Sequence, residues 1–175
     1  MVDTLKAIRP MRLTYRLKII GFGFIIFVLG CANSQNLPTP EKIGEKERVM
    51  VITGKQAAQV VDKMHGRSVA THANVIAEYG RDPKDLLFIS RYGDHTQAQK
   101  AFDLMIEKMA AAKKSPFFHL MPMDQYDNKV YITLGMGAMH YIYVSGNCLL
   151  WLQTYQSFRD KLPGGLLKLY PFEQG

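Results

Sequence analysis

Two short stretches of this chain carry side chains that could bind a soft metal ion. The first is His119-Leu120-Met121-Pro122-Met123, and the second is Met136-Gly137-Ala138-Met139-His140. Thioether and imidazole groups suit Cu(I), and methionine is also an axial haem ligand. The candidate metal or haem ligands are therefore His119, Met121, Met123, Met139 and His140. Core packing is the favoured alternative, because methionine fills irregular gaps in protein cores and also lies on the apolar stripes of both predicted helices.

No sequence signature of catalysis accompanies these residues. The chain lacks Gly-x-Ser-x-Gly, His-Glu-x-x-His, phosphate-loop and Cys-x-x-Cys patterns. Glu78, Asp85 and Asp94 flank predicted strand ends, where acid–base catalysts could lie, but no pattern pairs them. We therefore assign no catalytic residue and no cofactor. The absence of catalytic signatures favours a protein that is not an enzyme. A hydrolase with catalytic residues dispersed along the sequence is an alternative.

Four aromatic residues, Tyr131, Tyr141, Tyr143 and Trp151, lie on predicted strands. Such side chains can line a groove for a glycan or a peptide. On a sheet they more often pack against their cross-strand neighbours, and this is the interpretation we favour. Cys148 lies in an apolar run, which predicts a buried thiol.

The amino-terminal residues have the pattern of an export signal. Five basic side chains precede an apolar run from Ile19 to Leu29. This run is shorter than the about 17–25 residues that a helix needs to cross a bilayer. The first residue of the translated chain is either Met1 or Met11.

The end of the apolar run, Val28-Leu29-Gly30-Cys31, resembles the lipobox of bacterial lipoproteins. The resemblance covers the first 31 residues and assigns no family to the rest of the chain. It implies cleavage between Gly30 and Cys31, a diacylglyceryl group on the Cys31 thiol and an N-acyl chain on the new amino terminus. Two or more acyl chains anchor a protein stably to a membrane. Since Ala32 rather than aspartate follows the cysteine, the expected location is the outer membrane, facing the periplasm.

The charge of the chain gives no indication of nucleic-acid binding. The formal net charge is +7, but residues 1–30 hold five of the 22 basic and one of the 15 acidic side chains. The remainder, with 17 basic and 14 acidic side chains, lacks the clustered basic surface typical of nucleic-acid binding.

Three segments are predicted: a signal peptide at 1–30, a lipidated cysteine with a flexible tether at 31–47, and a single domain at 48–175. The tether is polar and contains proline and mixed charge, so it buries too little apolar surface to order itself.

Helices are predicted over residues 55–65 and 96–112. In the second, Asp94 and Gln97 have the spacing of a capping box. A first strand is possible at 49–52, and clearer strand patterns cover 74–79, 85–92, 117–123, 129–134, 139–145 and 148–155. Gly146-Asn147 predicts a two-residue hairpin that places Ile142 opposite Trp151 and Val144 opposite Leu149.

The expected fold is α+β: an antiparallel sheet of about five to six strands with two amphipathic helices packed on one face. Its architecture faintly resembles that of ferredoxin-like domains. The expected function is that of a lipid-anchored cell-envelope protein with a non-catalytic domain that binds a protein, cell-wall or lipid partner. A periplasmic Cu(I) or haem carrier is the second hypothesis.

Overall fold

The computed structural model describes residues 37–65, 68–69, 71–127, 129–158 and 161–172. The signal peptide, the lipobox and Cys31 lie outside the described residues. The strands are β1 (Lys42–Ile43), β2 (Lys46–Thr53), β3 (Ala73–Tyr79), β4 (Asp85–Arg91), β5 (Phe117–Pro122), β6 (Val130–Gly135), β7 (Ala138–Ser145) and β8 (Cys148–Thr154). The helices are α1 (Gly54–His65), α2 (His95–Ala111) and α3 (Gly164–Leu169), and a 3₁₀ turn covers Asp124–Tyr126.

All eight strands join one antiparallel sheet in the order β1-β2-β3-β4-β8-β7-β6-β5. The sheet curls into a half-barrel and dominates the fold, and the three helices are short. The prediction of five to six strands with two packed helices is therefore wrong. Seven of the eight strands coincide with strand patterns of the sequence, so the count of five to six was low even for those patterns, and β1 has only two residues, too few to give a periodic pattern.

Helices α1 and α2 begin and end within one residue of their predicted bounds. Asp94 caps α2, accepting hydrogen bonds from the backbone N–H of Gln97 at 2.8 Å and from Gln97 Nε2 at 3.0 Å. The two helices lie on the same face of the sheet, since Val61 of α1 and Met105 of α2 line one cleft with Trp151. We call this the helix face.

The opposite face, which we call the core face, holds the largest group of buried apolar side chains. Segments from both ends of the described chain cover it: Leu37 and Ile43 from one end, and Leu162, Leu166 and Tyr170 from the other. The Tyr79 hydroxyl donates to Pro40 O at 3.0 Å, and the Tyr170 hydroxyl donates to Pro38 O at 2.8 Å.

The prediction of a flexible tether up to residue 47 is therefore wrong for residues 37–47. Ile43 is completely buried, and its strand pairs with β2 through Lys42–Glu47 and Ile43–Lys46. Polar composition suggested disorder, but two apolar residues in this segment fill gaps in a core that the rest of the chain provides.

Candidate functional site

An open apolar pocket lies on the core face, at the end of the sheet where β6 turns into β7. Its volume is about 260 Å³, and its lining comes from β5 to β8 and the residue after β8. One row of the sheet provides most of the wall, because Phe118 pairs with Leu134, Leu134 with Met139, and Met139 with Thr154. Tyr155 closes one side.

Local sequence explains why the pocket stays open. The turn between β6 and β7 has positive φ at Met136 (50°) and Gly137 (77°), which is the backbone of a tight type I′ hairpin. Such a turn reverses the chain within two residues, and of these two residues Gly137 lines the pocket and Met136 does not. Phe118 is 55% exposed and Tyr155 is 46% exposed, so two large aromatic side chains remain accessible at its rim.

A buried carboxylate fixes the wall of the pocket beside Thr154 and Tyr155. Asp85 is fully buried and accepts four hydrogen bonds: from the Thr154 hydroxyl at 2.8 Å, the Tyr155 backbone N–H at 3.1 Å, Gln156 Nε2 at 2.6 Å and Lys46 Nζ at 2.8 Å. Because every carboxylate oxygen has partners and one partner is a cation, the charge of Asp85 is compensated in place. Its role is to hold the pocket wall.

An aromatic cluster lies behind the pocket, on the helix face. His140 is completely buried, and its Nε2 lies 3.0 Å from Gly135 O while its Nδ1 accepts from Trp151 Nε1 at 2.9 Å. Phe117 contacts both rings edge-on, at centroid distances of 5.0 and 5.3 Å. Since Nδ1 accepts, Nε2 carries the proton and the ring is neutral. Burial lowers the pKa of His140 below its usual range.

The structure divides the predicted metal ligands between the two faces of the sheet. Met139 lines the pocket on the core face, whereas His140, the next residue on the strand, points to the helix face. Both nitrogens of His140 are hydrogen-bonded, so neither has a lone pair available for a metal. Met123 is buried in the core, while His119 and Met121 are exposed on β5. Within the described residues, no three His, Cys, Asp or Glu side chains form a metal-binding group.

The candidate acid–base carboxylates each have a different structural partner. Glu78 pairs with Lys84 at 2.6 Å, Asp85 holds the network beside the pocket, and Asp94 caps α2. Tyr79 pairs with Asp85 across β3 and β4, so the neighbouring Glu78 side chain lies on the other face from Asp85.

The remaining predicted residues pack inside the fold. Tyr141 and Tyr143 are completely buried, and Tyr131 meets Phe102 edge-on at 5.7 Å. Cys148 is buried as predicted, and burial raises the pKa of its thiol. These residues therefore have packing roles, as we favoured from the sequence.

The pocket itself was missed at the sequence level. Its residues are close only because β5, β6, β7 and β8 pair in this register, and the chain gives no local pattern that marks them. One available signal was the unbroken meander of these strands, which places Phe118 and Met139 in one row.

Comparisons of this chain with family models, curated proteins and solved structures find no significant match. In the described residues, each helix is too short or too polar to cross a membrane. The lining of the pocket offers mainly apolar contact area, and the Thr154 hydroxyl is already bonded to Asp85. This chemistry suits the binding of an apolar group.

Proposed function

We propose that this protein is a lipid-anchored component of the bacterial cell envelope whose folded domain binds an apolar side chain of a partner protein in the core-face pocket. The resemblance of residues 28–31 to a lipobox supports the anchor at Cys31, and the preceding basic and apolar segments support export. The proposed location is the outer membrane, facing the periplasm.

The open pocket is the observation that carries the binding proposal. Phe118 and Tyr155 leave about half of their surfaces in water, although Thr154 beside them is fully buried and Met139 packs against the core. Clustered exposed aromatic residues around a depression are typical of interaction sites. A volume of about 260 Å³ is smaller than most sites for small organic ligands. It suits one or two apolar side chains from a partner surface.

The short connection to Cys31 limits where that partner can be. Leu37 is already packed in the core and follows Cys31 by six positions. Six extended residues span at most about 20 Å. If Cys31 carries lipid, the folded domain therefore works directly at the membrane surface, and the partner must be present there.

Palmitate labelling tests the anchor. Cells that produce the full chain should incorporate radiolabelled palmitate into the protein, and Cys31→Ser should abolish the labelling and release the protein from membranes. A matched Cys148→Ser variant should keep both properties. If the wild type takes up no label, or if Cys31→Ser still fractionates with membranes, the proposed anchor is wrong.

Photo-crosslinking tests the pocket. A photoreactive phenylalanine analogue at Phe118 of the full chain should give a discrete adduct with one protein in intact cells. The same analogue at Leu104, which is 41% exposed on α2, is the control. A Phe118→Ser protein without the photoreactive group should also fail to compete for the partner, so it should leave the yield of this adduct unchanged. Equal crosslinking from both positions would contradict a binding role for the pocket.

An activity assay distinguishes binding from the hydrolase alternative. The full chain should not turn over panels of ester, peptide and glycan substrates. Turnover that persists in Phe118→Ser would show that the chain is an enzyme with a site elsewhere, and the proposed function would then be wrong.

A further inference from the structure

The exposed apolar surface beside the pocket continues along β5 and β6 beyond Phe118. Met121 is 49% exposed, and it pairs with Ile132 as Phe118 pairs with Leu134. Residues directly opposite each other on antiparallel strands project from the same face of a sheet. Since Tyr141, which pairs with Ile132 on β7, packs in the core, Met121 lies on the core face together with Phe118.

A β-bulge places these two side chains on one face. Met121 follows Phe118 by three positions, and in a regular strand this separation would put them on opposite faces. The register shift between them adds one residue to β5, and His119 there adopts a φ of 54°. The Thr133 hydroxyl donates to Phe118 O at 2.8 Å and holds the bulge in place. The strand therefore presents two apolar contacts, about 7 Å apart along β6.

Two lysines lie at the pocket end of this surface. Strands β5 to β8 contain no Asp, Glu, Lys or Arg, whereas Lys113 and Lys114 are exposed just before β5. Neither lysine forms an ion pair with another described residue. The Pro116 carbonyl, two residues after Lys114, lies against Gly135 of the pocket lining. The two cations are therefore within reach of a partner that occupies the pocket.

The other sides of the surface carry negative charge. Beyond the pocket, Glu45 is exposed in the turn that Gln156 holds. At the far end of β5, Asp124 and Asp127 are exposed, and Lys129 follows them in the same connection. Among the described charges around this surface, net positive charge therefore lies on the side of the two lysines. A partner with carboxylates on that side would be complementary in charge.

We infer that the partner segment at the core-face pocket is acidic and carries two apolar side chains. One enters the pocket beside Phe118, and the second packs on Met121, about 7 Å further along the sheet. Carboxylates next to the first apolar side chain lie within reach of Lys113 and Lys114. The two apolar contacts fix how the segment lies, and the charges fix its direction. This inference rests on the proposed function, since it names the partner of the same pocket.

The second apolar contact is tested by substitution. With the photoreactive phenylalanine analogue at Phe118 of the full chain, Met121→Ser should lower the yield of the partner adduct about fivefold, because apolar area at this position is no longer buried. The analogue at Met121 should give an adduct with the same partner. The matched control is Met64→Ser, at a methionine that is 56% exposed on α1. An unchanged yield in Met121→Ser would overturn the two-point contact.

Neutralising the two lysines tests the charge of the partner. Lys113→Gln combined with Lys114→Gln should lower the adduct yield about twofold to fivefold per lysine, as expected for exposed ion pairs. In isolated membranes, added salt should lower the yield from the wild type, because it screens these pairs. Lys55→Gln combined with Lys63→Gln removes the same charge from α1 and is the control. A wild-type yield in the first double variant, or a yield that does not respond to salt, would overturn the acidic partner.

The sequence of the captured segment gives a direct test. Mass spectrometry of the digested Phe118 adduct should find Asp or Glu within a few residues of the crosslinked position, and a second apolar residue near it. A captured segment without acidic residues, an adduct with lipid, or an adduct with a second copy of this chain would overturn this inference. If the analogue at Phe118 captures nothing in the otherwise unsubstituted chain, the proposed function itself is wrong.

Discussion

Asp85 connects more parts of the molecule than any other side chain beside the pocket. It joins the start of β4 to the end of β8 through Thr154, and to β2 through Lys46. Gln156 extends the network, since its Nε2 also donates to Ile43 O at 3.2 Å. One carboxylate thus links the pocket wall to the first hairpin of the described chain.

Asp85→Asn should destabilise the protein strongly. The amide nitrogen would face donors that now bond a carboxylate oxygen, and Lys46 would lose its counter-charge. We expect a loss of about 2–4 kcal/mol in the free energy of unfolding, measured by urea denaturation. The control is Glu78→Gln, which removes a more exposed ion pair with Lys84 and should cost less than about 1 kcal/mol. Similar losses in the two variants would contradict the role of Asp85.

His140 makes the fold sensitive to acid. Burial lowers its pKa in the folded state, whereas the unfolded chain titrates near the ordinary histidine value of about 6.5. Below that value the unfolded state takes up a proton that the folded state rejects. The stability that neutral His140 contributes is therefore complete above about pH 6.5 and is lost as the pH falls toward the folded-state pKa.

His140→Gln should remove part of this acid sensitivity. The wild type should lose up to about 1.4 kcal/mol of unfolding free energy per pH unit from this residue in the affected window. Urea denaturation followed by Trp151 fluorescence between pH 5 and 8 measures the slope. His119→Gln, a substitution at an exposed histidine, should keep the wild-type slope. Parallel slopes for all three proteins would show that His140 is not the titrating group.

At the scale of elements, the segment from Leu37 to β1 behaves as part of the domain. Its two apolar side chains are buried, and Gln156 bonds the turn at Glu45, whose backbone N–H donates to Gln156 Oε1 at 3.2 Å. Gly44 adopts a φ of 57° in this turn, and a Cβ there would clash with Gln156 Oε1. The hairpin therefore requires glycine at this position.

Ile43→Ala should show that this segment is structural. Removing a fully buried side chain typically costs about 2–5 kcal/mol, because the transfer free energy is lost and a cavity remains. Thermal unfolding should begin at a clearly lower temperature than in Glu45→Ala, a substitution at an exposed position in the same hairpin. If both variants unfold like the wild type, residues 37–47 act as a tether after all.

Secondary-structure elements that depend only on neighbouring residues were largely predictable from the sequence. Helices α1 and α2, and the register of β7 with β8, follow from periodicity, capping and a two-residue turn. Ile142 lies opposite Trp151 and Val144 opposite Leu149, as predicted. The two-residue strand β1 was not predictable, since its pairing depends on β2 and on Gln156, more than a hundred residues away.

At the scale of the whole molecule, the packed amino-terminal segment shortens the distance between the proposed lipid and the fold. With a flexible tether of sixteen residues, the domain would have had a root-mean-square reach of roughly 20–25 Å. With the chain packed from Leu37 onward, even full extension of the connection reaches about 20 Å. If Cys31 carries the proposed lipid, the domain is therefore restricted to the lipid surface.

Energy transfer measures this distance. A donor dye on Glu41→Cys, an exposed position, should transfer efficiently to acceptor lipids in vesicles that carry the lipidated protein. Inserting about 30 Gly and Ser residues before Leu37 should lower the efficiency, because the root-mean-square reach rises to roughly 30–36 Å. The Cys31→Ser protein, which should not bind the vesicles, is the control. Unchanged transfer after the insertion would contradict the restriction.

The sequence by itself determined the features that neighbouring residues specify: the export signal pattern, the two amphipathic helices, the capping of α2 and the final hairpin. Only the tertiary structure decided the eight-stranded curled sheet, the packing of residues 37–47, the pocket, and the placement of Met139 and His140 on opposite faces with different roles. The physical reason is that periodicity and turn chemistry act over a few residues. Burial and hydrogen-bond satisfaction depend instead on which distant strands become neighbours.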